Sequence, residues 1–273
     1  NPRVIYNRLF KAAADTLKTF AADPKHLGAT PGITLVLHTW SQNLGQHLHT
    51  HCIVTGGGLS PDGDHWVPCK QNPHAKKVFL FPVKALSKVF RGKFISGLRQ
   101  DYQAGELHFA GGTTQFASPD GFSVLLDRLH AKSWVVYAKH PFAGPKQVLR
   151  YLSRYTHRVA IGNARLQSME DSQVTFRYKD YADHGQHKSM TLQADEFLRR
   201  FLLHILPSGF MRLRHYGLLA NRYRKVKLER CRHLLRQPDP PTREKEAAAD
   251  LLQRLAGVDI TLCPICKQGH LQV

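Results

Sequence analysis

Residues 33–60 read ITLVLHTWSQNLGQHLHTHCIVTGGGLS, and the fold turns on this stretch. Ile33 to Trp40 is β-branched and aromatic and predicts a strand. Ser41 to Gly45 is a short polar link. His47 to Thr55 predicts a second strand, antiparallel to the first and ended by Gly56-Gly57-Gly58. Asp62-Gly63 makes a turn into a short strand at His65–Pro68.

Working outward, residues 3–20 form an amphipathic pattern, with Val4, Leu9, Ala13 and Leu17 apolar. Helices are expected at 82–104, 122–129, 145–157, 196–206 and 217–235, and a last one at 242–256. Strands are expected at 106–117 (with a loop), 133–138, 159–166, 174–178 and 189–192. The mix predicts an α+β fold: a central antiparallel sheet with flanking helices, plus a basic helical C-terminal region. The expected divisions are an N-terminal helical segment at 1–30, a catalytic domain at 31–195 and a basic DNA-binding region at 196–236. A linker, helix and zinc knuckle take 237–273.

Charge narrows the function. Thirty-nine Lys and Arg against twenty Asp and Glu give +19, which calls for a polyanionic partner. Eleven of the cations and one acid, Glu229, fall between Phe197 and Arg236, interleaved with His215, Tyr216 and Tyr223. Aromatics among cations suit base stacking with phosphate neutralisation, which makes nucleic acid the expected partner. Arg212, Arg214, Tyr216, Arg222 and Arg224 are the expected contacts here. No run approaches the length of a membrane span. Five cysteines are too sparse and odd in number for a disulfide framework, and predict a reducing, cytoplasmic setting. Asn1-Pro2-Arg3 carries neither an initiator Met nor a signal peptide, so the chain reads as a fragment.

Two clusters carry chemistry. His47, His49 and His51 alternate, so on a strand they share a face and can converge on one ion. The alternative is a polar sheet face in a chain with 17 histidines. A phosphate-handling site would take Mg²⁺ or Mn²⁺, with Zn²⁺ competing. Tyr151 and Tyr155 lie four apart on one helix face. They also fit a buried stripe with Val148, Leu152 and Val159. Against that stands a cationic row of Lys146, Arg150, Arg154 and Arg158, which would hold a phosphodiester and favour the phenolate.

The His-x-His strand running into Gly-Gly-Gly-Leu-Ser, Tyr151-Leu-Ser-Arg-Tyr155-Thr-His-Arg-Val-Ala-Ile and Gly209-Phe-Met-Arg-Leu-Arg-His-Tyr-Gly-Leu-Leu-Ala-Asn-Arg222 closely resemble the two-tyrosine HUH transposases of rolling-circle insertion sequences. The match covers about residues 1–225. The resemblance implies a metal-dependent endonuclease and strand transferase acting on single-stranded DNA with hairpin ends, in the bacterial cytoplasm at the nucleoid. Tyr151 and Tyr155 would be the catalytic nucleophiles, forming a 5′-phosphotyrosine link. His49 and His51 would hold the metal, with His47 as third ligand and His157 as the alternative. The middle residue of the motif is then Thr50 where the family has a hydrophobic residue; choosing His47 and His49 would make it Leu48. The family's N-terminal zinc-binding region is absent.

Cys263-Pro-Ile-Cys266 has the spacing of half a zinc ribbon, with His270 as third ligand and Cys231 as a distant fourth. The competing readings are a plasmid-type replication initiator or relaxase with the same chemistry, a non-catalytic DNA-binding protein with structural zinc, and a zinc hydrolase.

Overall fold

The computed structural model describes residues 1–70, 79–142, 144–156, 159–238, 246–257, 259–263 and 265–270. Helix α1 (Pro2–Ala22) leads into β1 (Thr30–Trp40), β2 (Gln46–Leu59) and the short β3 (Trp66–Pro68). Helices α2 (Val83–Gln103), α3 (Pro119–Ala131) and α4 (Pro145–Thr156) follow, then a meander of β4 (Leu166–Glu170), β5 (Gln173–Asp180) and β6 (Gln186–Gln193). The chain continues through α5 (Ala194–Leu202), β7 (Leu213–Gly217), α6 (Arg224–Leu234) and α7 (Ala248–Ala256). Residues 1–235 form one compact unit and 236–273 another. The fold is α+β. One antiparallel sheet has the order β3-β2-β1-β7, and a second has β4-β5-β6.

β1 acts as a partition. Successive side chains of a strand leave on opposite faces. Ile33, Leu35 and Leu37, each fully buried, enter the core built with Tyr6, Leu9, Phe10 and Ala13 of α1 and with Phe94, Ile95 and Leu98 of α2. Burying each of the three is worth roughly 1.5–3 kcal/mol. Thr34, Val36, His38 and Trp40 leave on the other face, where His38 reaches Tyr155 of α4. Trp40 joins Leu44, Ala160, Ile161 and Phe176 in a separate apolar cluster there.

One ion pair clamps α1 to α2. Arg8 Nε donates to Asp101 Oδ2 at 2.8 Å, and Arg8 Nη2 donates to Asp101 Oδ1. Both side chains are largely buried. Gly97 makes room, since a Cβ there would collide with the Arg8 side chain. Asp101→Ala leaves a buried guanidinium without its counter-charge. It is expected to destabilise the protein by about 3–5 kcal/mol, read as a drop in the urea unfolding midpoint with an unchanged slope.

Several expected elements differ. β2 runs through Gly56–Gly58 instead of ending there. The indole of Trp66 lies where a Cβ on Gly57 would sit, 2.7 Å away, and Thr30 O lies equally close to a Cβ on Gly58. The glycines therefore permit close cross-strand approach. The segment 196–236, expected to be helical, contains β7, which pairs with β1 from Gly32 to Val36. Gly217 ends β7 at φ +64°, with Pro31 O where a Cβ would stand, so the turn requires glycine. A 3₁₀ turn (Gly111–Phe116) replaces the strand expected at 106–117, and β4 starts only at Leu166, after another such turn. Residues 133–138 join neither sheet.

Candidate metal and nucleophile site

β1 and β2 bring three imidazoles together. His38 stands directly opposite His49, and Val36 opposite His51. Residues opposed across an antiparallel pair share a face, so His38, His49 and His51 line one surface. Their ring centroids form a triangle, 4.6 Å for His38–His51, 5.5 Å for His38–His49 and 5.0 Å for His49–His51. One nitrogen from each lies within 4.8 Å of the others. Among the described residues this is the one group of three or more potential metal ligands.

Hydrogen bonds set the tautomers. His49 Nδ1 donates to His47 O at 2.8 Å, which places the lone pair on Nε2. His38 Nε2 donates to Tyr155 O at 2.8 Å, which places its lone pair on Nδ1. Fixing a ligand's other nitrogen to a carbonyl is what outer-shell partners of metal-bound histidines do. Burial lowers the His49 pKa, favouring the neutral, coordinating form. Trp40 stacks on His38 at 4.5 Å and 20° and holds the ring's plane.

His47 is therefore displaced as third ligand. It is exposed, with its ring 4.7 Å from that of His49, and it stands outside the group of three. Its main-chain oxygen orients His49 instead. The alternative, His157, and the fourth cation of the row, Arg158, lie outside the described residues.

The tyrosine helix α4 covers this triangle. The Tyr151 hydroxyl is 3.2 Å from His51 Nδ1. The Tyr155 ring lies against His51 at 3.8 Å, and the two tyrosine rings are 4.4 Å apart. Both are half-buried, and neither is a core residue. Burial first, then Tyr155 and Cys52, push the Tyr151 phenol well above its ordinary pKa. This opposes the expectation that the cationic row favours the phenolate. Lys146, Arg150 and Arg154 are exposed, so water screens them from the half-buried phenol.

The basic segment is only partly turned outward. Arg222 lies over the Tyr223 ring at 5.2 Å, and both it and Arg224 are exposed. Arg212 donates to Thr156 O, anchoring the end of α4. Arg214 packs on Phe10 at 4.5 Å and Phe210 at 4.9 Å, and donates to Asn7 Oδ1 at 2.6 Å. Tyr216 packs against the core. Arg214 and Tyr216 are thus committed to internal contacts. Sequence reasoning missed His38 and Trp40 altogether.

In the C-terminal unit, the Cys263 N–H donates to Gly269 O at 2.7 Å, and the Gly269 N–H to Cys266 Sγ at 3.4 Å. Main-chain N–H groups of Gln268 and Gly269 lower the Cys266 pKa. His270 Nδ1 is 3.0 Å from Thr261 Oγ1 and does not complete a three-ligand group with the cysteines. Cys231 is buried with Leu59 and Leu218.

A family model, Y2_Tnp, described as "Putative transposase", matches residues 32–227, which contain all three imidazoles and both tyrosines. The chain belongs to this transposase family. "Putative transposase y4qJ" of Sinorhizobium fredii (strain NBRC 101917 / NGR234) is 48% identical over 274 residues, covering 99% of this chain and 67% of that protein. "Transposase for insertion sequence element IS801" of Pseudomonas savastanoi pv. phaseolicola is 27% identical over 275 residues, covering 97% of this chain and 62% of that protein. The transposase chain thus spans about two thirds of the length of these relatives. No solved structure matches it. No helix among its described residues is long and apolar enough to cross a membrane.

Proposed function

We propose that this transposase chain nicks and rejoins single-stranded DNA through a 5′-phosphotyrosine intermediate, in rolling-circle transposition of an element with hairpin ends. The observation that carries the reading is the Tyr151 hydroxyl 3.2 Å from His51, one corner of a triangle of convergent imidazoles. A nucleophile and a charge-stabilising centre in contact are what phosphoryl transfer to a side chain needs.

The three imidazoles suit a first-row transition ion such as Mn²⁺; Mg²⁺ would rely on phosphate and water oxygens. Bound there, a divalent ion would draw charge from the scissile phosphate and counter the burial that raises the Tyr151 pKa. The tyrosine oxygen attacks phosphorus and gives up its proton, the bond from phosphorus to the 3′-oxygen breaks and that oxygen takes up a proton as the 3′-OH, so the phosphoester energy is stored in the protein–DNA bond. A later 3′-OH reverses the step without hydrolysis. Lys146, Arg150 and Arg154, together with the Arg222 and Arg224 surface, would neutralise flanking phosphates. The reaction would take place in the bacterial cytoplasm, on nucleoid DNA.

The test is to incubate the protein with hairpin-bearing single-stranded DNA and Mn²⁺ and look for a covalent adduct on a denaturing gel. The adducted peptide is then located by mass spectrometry. A free 5′-phosphate with no adduct would mean a hydrolase and would overturn the proposal.

A further inference from the structure

Residues 128–169 contain eight Lys and Arg and no Asp or Glu. Within this acid-free stretch, residues 133–139 alternate strictly. Trp134, Val136 and Ala138 are half-buried, whereas Ser133, Val135, Tyr137 and Lys139 are exposed. Trp134 and Val136 pack against two different apolar clusters of the main unit, and Trp134 O accepts from Ser87 Oγ. The segment is therefore anchored on one side and presents the alternate side chains outward, and it joins neither sheet.

That outer face is unusual for a monomer surface. Val135 is 91% exposed and Tyr137 79%. Soluble proteins seldom leave an extended apolar ladder open without a use. The face also leads directly to the nucleophile: three residues beyond Lys139, the Phe142 ring lies 5.2 Å from that of Tyr151. Lys132 and Lys139 flank the aromatics, and neither forms an ion pair among the described residues.

We propose that residues 132–142 are the track on which the single strand enters the site, with Tyr137 and Phe142 stacking bases and Lys132 and Lys139 meeting phosphates. The inference rests on the single-strand reading above. Sequence-tolerant single-strand binding combines the same two elements, aromatic faces and a cationic path along the backbone. Four residues separate Tyr137 from Phe142, a reach of at most roughly 16–18 Å, so the two rings would grip bases several positions apart. Phe142, beside Tyr151, would fix the base next to the scissile phosphate.

The experiment measures fluorescence anisotropy of a fluorescein-labelled oligothymidylate in EDTA, so that binding is separated from cleavage. Tyr137→Ala and Phe142→Ala are each expected to weaken binding by about tenfold, and Tyr137→Phe to leave it unchanged. Lys139→Gln is expected to lower the slope of log affinity against log salt by about 0.7. If wild type binds and forms the adduct, and both alanine variants bind equally well, the track is wrong and the proposed function stands. If wild type binds no single strand at all, both fall. If Tyr137→Ala changes only the oligomeric state seen by light scattering, the strand is a protein-pairing edge and the inference is overturned.

Discussion

Replacing both tyrosines, as Tyr151→Phe with Tyr155→Phe, is expected to abolish the covalent protein–DNA adduct and to lower nicking by on the order of 10⁴-fold. The reason is chemical rather than structural. Each substitution removes one oxygen from a half-buried ring and leaves the stacking of Tyr155 on His51 in place, so the helix should stay where it is. What is lost is the atom that would attack phosphorus in the proposed reaction. The single variants separate the two roles. The Tyr151 oxygen already faces His51, whereas Tyr155 presents its ring to the same imidazole. Tyr151→Phe should therefore remove most of the first nick. Tyr155→Phe should retain the first adduct and block only the step that needs a second attached strand. An adduct that survives in the double variant would end the tyrosine assignment.

The second large effect concerns the imidazoles. His49→Ala with His51→Ala is expected to remove Mn²⁺-dependent cleavage, a loss of at least about 10³-fold. The more discriminating comparison is His38→Ala against His47→Ala. His38 belongs to the convergent group and His47 does not. Losing His38 should weaken Mn²⁺ binding, followed by manganese electron paramagnetic resonance, by about 10–100-fold, and cleavage should fall with it. His47 contributes a main-chain oxygen to His49, which survives truncation of its side chain, so His47→Ala should bind Mn²⁺ within about threefold of wild type. A reversed order of the two variants would restore His47 as ligand. Mn²⁺ should also support cleavage at lower concentration than Mg²⁺, because three nitrogen donors suit the softer ion.

The pair of His49 and His51 and the tyrosine pair were legible because their spacings, two on a strand and four on a helix, correspond directly to one shared face. His38 was not, for a definite reason. Trp40 pairs with Gln46, and in unbroken register His38 would then face Leu48. A bulge between His38 and Trp40 shifts it by one residue to His49. A single-residue slip changes which face a side chain joins, and no local sequence signal announced this one. β7 was hidden differently. Arg212-Leu-Arg-His-Tyr-Gly has no apolar alternation, because Arg214 and Tyr216 reach the core side through their stems and rings instead of through aliphatic bulk. The glycine run misled because glycine marks close approach of chains as readily as it marks an ending.

The hydrogen bond from His38 to the main-chain oxygen of Tyr155 ties two events that chemistry would otherwise keep apart. The histidine belongs to the sheet and the oxygen to the helix that carries both tyrosines. Repositioning that helix to exchange one attached strand for another would break the bond and remove one of the contacts that orient the imidazole. Ion affinity and the state of the helix are then linked variables, and linkage is reciprocal. Whatever a bound ion contributes to the helix's resting pose, a covalently loaded helix returns as a change in ion affinity. The bond would thus work as a latch, letting the protein register from within its metal site whether it is holding DNA.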